Sequence, residues 1–139
     1  MMSHETTVTN DWETIFVNKF IVRNKRERVA SQLAQGGKRM QRFLSSLYHF
    51  SDFVPSMSES VPLNHRNEQV SSRLIQLGAP SVCHVVSQYK DFDGLNMDLN
   101  EALDAIVGRL VPAIVICVPE MLAYYEAERP EDRLILRTR

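Results

Sequence analysis

Six consecutive apolar residues, Ala113 to Val118, constrain the fold more than any other stretch of the chain. A strand with one face in water alternates apolar and polar side chains, whereas every position of AIVICV is apolar. The run therefore predicts a central strand of a sheet that is covered on both of its faces.

Further strands are predicted on either side of this run. The segments SVCHVVSQ, MLAYYEAE and DRLILRT have the length and residue types of strands, and the links PE and RPED are short enough to make the last three strands an antiparallel meander. Between the first two strands lies MDLNEALDAIVG, a helix by its periodicity. Strand, helix and strand have the lengths of a right-handed βαβ unit, which predicts a parallel pair if these two strands are neighbours.

The N-terminal part of the chain is predicted to be helical. Residues 14–22 follow helical spacing behind a capping box at Asn10, although their β-branched and aromatic side chains also permit a strand. A second capping box at Asn24 predicts a break and a helix over 25–35, and a third helix is predicted over 38–50. After two prolines and four serines, NEQVSSRLIQLGAP predicts one more helix.

The fold class that follows is α+β. We expect about three N-terminal helices packed on a small mixed sheet of about four strands, with one crossover helix and a C-terminal antiparallel meander. All 139 residues would form a single domain, 1–139, in which residues 1–10 are a flexible tail and residues 51–64 are an internal connecting loop.

The cysteines and the absence of apolar spans predict a compartment. Cys83 and Cys117 are far apart and have neither a CxxC pattern nor a histidine at ligand spacing, so we expect two buried thiols in a reducing environment. No apolar run approaches the ~20 residues that cross a bilayer, and the first residues lack the apolar region of a signal peptide. We expect a cytoplasmic protein without a membrane partner.

Charge divides the chain into two parts. Residues 1–50 carry eight Lys/Arg and four Asp/Glu, while residues 51–139 carry eight Lys/Arg and thirteen Asp/Glu. The basic residues of the first part all lie between Lys19 and Arg42. Polarity of this kind bears on association, and it also permits self-association of the chain.

The acidic stretch YKDFDGLNMDLNE raises the question of a metal site. An EF-hand with Gly94 at its sixth position would place Tyr89 at the first and Asn100 at the twelfth, so the ligand pattern fails at both ends. Asp98 is instead predicted to cap a helix, with Glu101 closing a capping box. Asp91 and Asp93 have no predicted structural role and remain candidates for chemistry.

Other catalytic and cofactor motifs are absent from the sequence. There is no P-loop, GxGxxG, GxSxG, HxxxH or HExxH, so we expect no cofactor and no zinc site. Cys83 and His84 are adjacent on a predicted strand and point to opposite faces, which excludes a nucleophile and base pair between them.

A basic helical face is the predicted binding site. The stretch QGGKRMQRF places two glycines before Lys38 and Arg39 at a helix start, where backbone N–H groups and positive charge can meet an anion, or where the glycines only end one helix and begin the next. The predicted contacts with an anion or an acidic surface are Arg26, Lys38, Arg39 and Arg42.

The predicted function is a small non-enzymatic interaction or regulatory module that binds an acidic partner through this face. Nucleic-acid binding through the same face is the alternative, although the sequence pI of about 6.4 lies below that of a typical basic domain. A small hydrolase or nuclease that uses Asp91 and Asp93, with help from His84, is a third hypothesis.

Overall fold

The computed structural model describes residues 3–35, 37–47 and 52–138. Of residues 3–11, 35 and 37–41 it describes the backbone alone. Within these ranges the chain forms five α-helices and one six-stranded sheet, which confirms the α+β class.

The sheet has the order β1-β6-β5-β4-β2-β3, and every neighbouring pair is antiparallel. Its strands are β1 Ser58–Ser60, β2 Val82–Ser87, β3 Asn96–Asp98, β4 Ala113–Val118, β5 Leu122–Glu126 and β6 Leu134–Arg137. The apolar run at 113–118 is β4, and it lies between β2 and β5 in the middle of the sheet. The predicted meander of the last three strands is confirmed.

Helices cover both faces of the sheet, as the all-apolar β4 requires. The helices are α1 Ser3–Phe20, α2 Arg26–Gln35, α3 Gly37–Ser46, α4 Asn67–Gln76 and α5 Leu99–Ile106. Helices α1, α2 and α3 pack on one face against alternate strand residues such as Val86, Ile114 and Tyr125. Helices α4 and α5 pack on the other face against Val85, Val115 and Tyr124. Alternation of side chains along each strand thus divides the core into two layers.

The N-terminal layer is tied to the sheet by aromatic side chains and by the backbone. Phe16 and Phe20 are buried, with 5.2 Å between their ring centroids. The ring of Phe53 contacts that of Tyr125 edge to face, with 5.0 Å between centroids. Val54 N–H donates to the Phe20 carbonyl at 2.8 Å, which fixes the end of α1 against the chain that enters the sheet. Burial of such rings contributes the largest apolar areas of a core.

The predicted parallel pair is wrong, because β2 and β4 are antiparallel. A turn after β2 sends the chain back as β3, so α5 starts beside the beginning of β2, where Leu99 N–H donates to the Ser81 carbonyl at 2.7 Å. Helix α5 then carries the chain to the far end of β2, and Ala113 enters the sheet opposite Ser87. The short strand β3 therefore reverses the direction that a simple βαβ unit would have.

The predicted number of about four strands is too low, because both edge strands were missed. Strands β1 and β3 have three residues each, which is too short for an alternating pattern to stand out. Strand β1 lies inside the segment 51–64 that was predicted to be a connecting loop.

The helix predictions fare better, with errors at the ends. The helical alternative for residues 14–22 is confirmed as far as Phe20, but Asn10 lies within α1 and does not cap it. The break after Val22 is confirmed by the 3₁₀ segment Arg23–Lys25, and α2, α4 and α5 lie within two residues of, or inside, their predicted segments. Helix α3 ends at Ser46, and the predicted residues 48–50 lie outside the described part of the chain.

The helices that the structure describes include none that is both long enough and apolar enough to cross a bilayer.

Candidate functional site

A groove between α2 and α3 carries part of the predicted basic face. Its volume is about 420 Å³, and it is lined by Glu27, Arg28, Ser31, Gln32 and Arg42. The first four side chains follow the i, i+1, i+4, i+5 spacing of one helix face, and Arg42 approaches from the neighbouring helix. The groove therefore presents two guanidinium groups and one carboxylate.

The four predicted contact residues differ in their surroundings. Arg42 is exposed and lines the groove. Arg26 is half-buried, and its Nε donates to the Ile21 carbonyl at 2.7 Å, which caps the chain just after α1. The backbone of Lys38 and Arg39 is part of α3, but the structure does not describe their side chains. Gly36 also lies outside the described residues. The anion site predicted at the two glycines stays a prediction.

Arg28 was not among the predicted contacts, yet it lines the same groove. Its Nη2 donates to Asp52 Oδ2 at 2.9 Å, and about half of the arginine side chain remains exposed. Exposed ion pairs contribute about 0–1 kcal/mol, so a carboxylate from a partner can replace Asp52 at little cost.

Two of the three aspartates in the acidic stretch have structural roles. Asp98 caps α5 by accepting from the N–H groups of Asn100 and Glu101 at 3.1 and 3.3 Å, as predicted. Asp93 Oδ1 accepts from the N–H of Ser87 at 3.0 Å, which closes the turn after β2. Burial raises the pKa of Asp93, the bond from Ser87 lowers it and the charge of Glu13 raises it further. Asp91 is exposed.

His84 joins α1 to the sheet through a polar cluster that sequence reasoning did not find. The side chain is fully buried, with its Nε2 2.7 Å from Glu13 Oε2 and its Nδ1 2.7 Å from Asn96 Oδ1. The indole of Trp12 stacks on the imidazole with 6.0 Å between ring centroids. Glu13 and His84 are 71 residues apart in sequence, so no local pattern could have shown this pair.

The surroundings of His84 favour its protonated form. Burial by itself lowers the pKa of His84, but the hydrogen bonds to Glu13 and Asn96 and the charges of Glu13 and Asp93 raise it above its ordinary value. A protonated imidazole donates from both ring nitrogens, which matches a carboxylate oxygen on one side and an amide oxygen on the other.

Cys83 and Cys117 are buried and form no disulfide bond, as predicted. Burial raises the pKa of Cys83 to about 12, with a further contribution from the charge of Asp98, and burial raises the pKa of Cys117 still more. Both thiols are therefore protonated at neutral pH, and neither has the thiolate character of a nucleophile. His84 and Cys83 lie in opposite layers, as their adjacency on β2 predicted.

A second buried cluster surrounds Glu126, at the end of β5. The carboxylate is fully buried and accepts three hydrogen bonds: from Gly108 N–H at 3.0 Å, from Leu110 N–H at 2.6 Å and from the Tyr124 hydroxyl at 2.8 Å. Burial and the neighbouring carboxylate raise the pKa of Tyr124, so its hydroxyl stays protonated and donates. Leu110 has φ of 59°, a left-handed conformation that the bond to Glu126 holds in place.

A buried arginine completes this region. Arg133 is 3% exposed, and its guanidinium donates to four carbonyls: Pro62 at 2.9 Å, Leu63 at 3.3 Å, His65 at 2.9 Å and Pro130 at 3.2 Å. Glu126 lies near the end of MLAYYEAE, and Arg133 lies near the beginning of DRLILRT. Both segments were predicted to be strands. A charged residue inside an apolar strand is a signal that could have marked both positions, because charges are seldom fully buried without partners.

Among the described residues, no group of three or more His, Cys, Asp or Glu side chains is arranged to hold a metal ion. Comparisons with known protein families, with curated proteins and with solved structures gave no match.

Proposed function

We propose that the protein is a non-enzymatic interaction module that binds an acidic protein surface in the groove between α2 and α3. The observation that carries this proposal is the charge of the two helical layers. Among the side chains that the structure describes on α1 to α3 and the segment that joins α1 to α2, the exposed charged ones are Lys19, Arg23, Arg28, Arg42 and the acid Glu27. On α4 and α5 the exposed charged side chains are Glu68, Glu101 and Asp104.

This arrangement converts the charge polarity of the sequence into a polarity across the sheet. The exposed charges described on the α1–α3 layer are thus mostly basic and those within α4 and α5 are acidic, with the sheet between them, while exposed Arg66 and Arg109 flank α4 and α5. Surfaces of one sign speed the encounter with a partner of the other sign and disfavour partners of the same sign. An acidic partner is thus steered to the α2–α3 side of the molecule.

Two side chains carry the contact within the groove. Arg42 is exposed and lies beside Arg28, whose ion pair with Asp52 is exchangeable. Two guanidinium groups on adjacent helices suit carboxylates that are spaced along an acidic segment, because each guanidinium can bind a carboxylate with two hydrogen bonds. Glu27 in the same groove selects against a continuous anion such as a phosphate backbone.

Most of the groups considered for catalysis have structural roles. Asp93 and Asp98 accept backbone hydrogen bonds, both thiols are buried, and His84 is enclosed by Trp12, Glu13 and Asn96. These roles favour the interaction module over the hydrolase or nuclease hypothesis.

The test measures binding to defined anions. Poly-L-glutamate, a DNA duplex and a single-stranded RNA are titrated into the protein at low salt, and backbone amide shifts are followed by NMR. We expect saturable shifts of residues 27–32 and 42–46 with poly-L-glutamate, weaker by about tenfold in the variant that combines Arg28→Gln with Arg42→Glu. Arg66→Gln removes one positive charge outside the groove and is expected to leave the affinity unchanged.

Other outcomes distinguish the alternatives. Tighter binding of DNA or RNA than of poly-L-glutamate, with an affinity that falls steeply as salt rises, would replace the acidic protein by nucleic acid. Absence of saturable shifts at 27–32 and 42–46 with all three anions would overturn the proposal.

A further inference from the structure

A cavity of about 390 Å³ lies at one end of the sheet, away from the α2–α3 groove. Three segments enclose it: the residues that lead into α4, the loop that follows α5, and the connection between β5 and β6. The side chains and backbone that line it are Leu63, His65, Arg66, Asn67, Val107, Gly108, Leu110, Pro130 and Arg133. Its volume is in the range of small-molecule sites, roughly 300–1,000 Å³.

The charged groups of the lining are all basic. Arg133 is buried in the wall, and the hydrogen bonds found for its guanidinium go to four neutral carbonyls. Arg66 is exposed, and its guanidinium forms no ion pair with a residue of the described ranges. With two guanidinium groups and no acidic side chain among the lining residues that the structure describes, the cavity favours a negative ligand.

Helix α4 adds to this preference. Asn67 is its first residue, so the N-terminal end of a ten-residue helix faces the same cavity as the two arginines. The positive end of the helix dipole and free N–H groups of a first turn stabilise an anion placed there. The Asn67 amide donates to Asp104 on α5, which fixes this rim of the cavity.

Part of the lining is apolar, and the Glu126 cluster fixes the backbone of that part at Leu110. Leu63, Val107 and Leu110 supply apolar surface, and the left-handed backbone at Leu110 is fixed by its hydrogen bond to Glu126. A non-glycine residue in this conformation costs of order 1 kcal/mol unless its surroundings hold it, and such strain concentrates at binding sites. This part of the lining is thus formed before any ligand arrives.

We propose that this cavity binds a small organic carboxylate. The carboxylate contacts Arg66 and the first turn of α4, and the apolar body of the ligand lies against Leu63, Val107 and Leu110. This site is independent of the α2–α3 groove, and the two can succeed or fail separately.

The test uses phenylacetate as the ligand and phenylacetamide as its neutral counterpart. Each is titrated into the full chain, and amide shifts are followed by NMR. Phenylacetate is expected to give saturable shifts at residues 65–67 and 107–110, with a Kd about tenfold lower than that of phenylacetamide. Arg66→Gln is expected to weaken phenylacetate binding by about tenfold, and Leu63→Ser by about threefold. Arg42→Gln, which changes the other surface, is expected to have no effect.

Both variants replace exposed side chains, so loss of folding does not confuse the result. Three outcomes would each overturn the site: shifts at 65–67 and 107–110 that do not saturate, equal affinity for the acid and the amide, or an unchanged Kd in Arg66→Gln. Binding of inorganic phosphate as tight as that of phenylacetate would overturn the assignment to an organic ligand.

Discussion

The two buried polar clusters of this protein hold different parts of the fold. The cluster around Glu126 joins residues that lie within 18 positions of one another, from Gly108 to Glu126, and fixes the loop after α5 to the sheet. The cluster around His84 joins residues 71 positions apart and fixes α1 to the opposite face. The first cluster fixes a loop, which lacks the regular hydrogen bonds of a helix or strand. The second adds hydrogen bonds to a helix that the buried side chains of Phe16 and Phe20 already hold in place. We therefore expect the Glu126 cluster to matter more for stability.

The strongest test of this difference is Glu126→Ala. The substitution leaves two backbone N–H groups and a tyrosine hydroxyl without their acceptor inside the protein, so the free energy of unfolding is expected to fall by about 4 kcal/mol. Urea denaturation measures this loss. Glu120→Ala removes an exposed glutamate from the turn between β4 and β5, and we expect it to change stability by no more than about 0.5 kcal/mol. A loss below about 1 kcal/mol for Glu126→Ala would contradict the ranking of the two clusters.

Breaking the second cluster should cost less and act more locally. Glu13→Ala leaves the buried Nε2 of His84 without its acceptor, and we expect a loss of about 2 kcal/mol. Because Phe16 and Phe20 still pack, amide hydrogen exchange should accelerate around residues 12–15 and stay slow in β4. Equal acceleration in β4 would mean that the His84 cluster supports the whole fold.

Raising the pH tests the same cluster without a substitution. The pKa of His84 is raised in the folded protein, so its stabilising contribution is complete below its ordinary value of 6.5 and is lost as the pH rises through the folded value. The pKa of Asp93 is raised in the folded protein as well, so Asp93 also makes the fold less stable as the pH rises, but at lower pH than His84 does. Raising the pH from about 6 to about 8 should lower the free energy of unfolding of the wild type, and Glu13→Gln, which lacks the carboxylate that raises the pKa of His84, should show a weaker dependence. An equal dependence in both proteins would exclude His84 as its source.

The smallest effect is expected at the exposed pair of Arg28 and Asp52. Arg28→Ala should lower the free energy of unfolding by no more than about 0.5 kcal/mol, since solvent screens this contact. Thermal unfolding at low and high salt checks this value. A larger loss would mean that variants of the α2–α3 groove report on folding as well as on binding.

Local signals in the sequence predicted much of the fold. The all-apolar β4, the meander of β4, β5 and β6, the helix cap at Asp98 and the break before α2 each depend on neighbouring residues, and each is confirmed. The parallel arrangement of β2 and β4 was wrong because it depended on β3, whose three residues carry no period.

The sites depended on information that the sequence does not present locally. The groove between α2 and α3 forms because two helix faces meet, which brings Arg28 beside the predicted Arg42. The pairs of His84 with Glu13 and of Arg133 with the carbonyls near residue 65 join distant segments. Glu126 was closest to being predictable, because a charged residue at the end of the apolar run LAYY requires buried partners.

The shortness of the two edge strands also bears on aggregation. Strands β4 and β5 combine a long apolar run with high strand propensity, which are the properties that favour pairing between chains once such a run is accessible. In the folded protein these strands are interior, and the sheet ends at β1 and β3, which offer three residues each. Because an edge strand of three residues presents few backbone groups to a second molecule, the folded sheet resists growth by strand addition. Aggregation is then expected to begin from unfolded chains, and variants that destabilise the fold, Glu126→Ala above all, should aggregate first on heating.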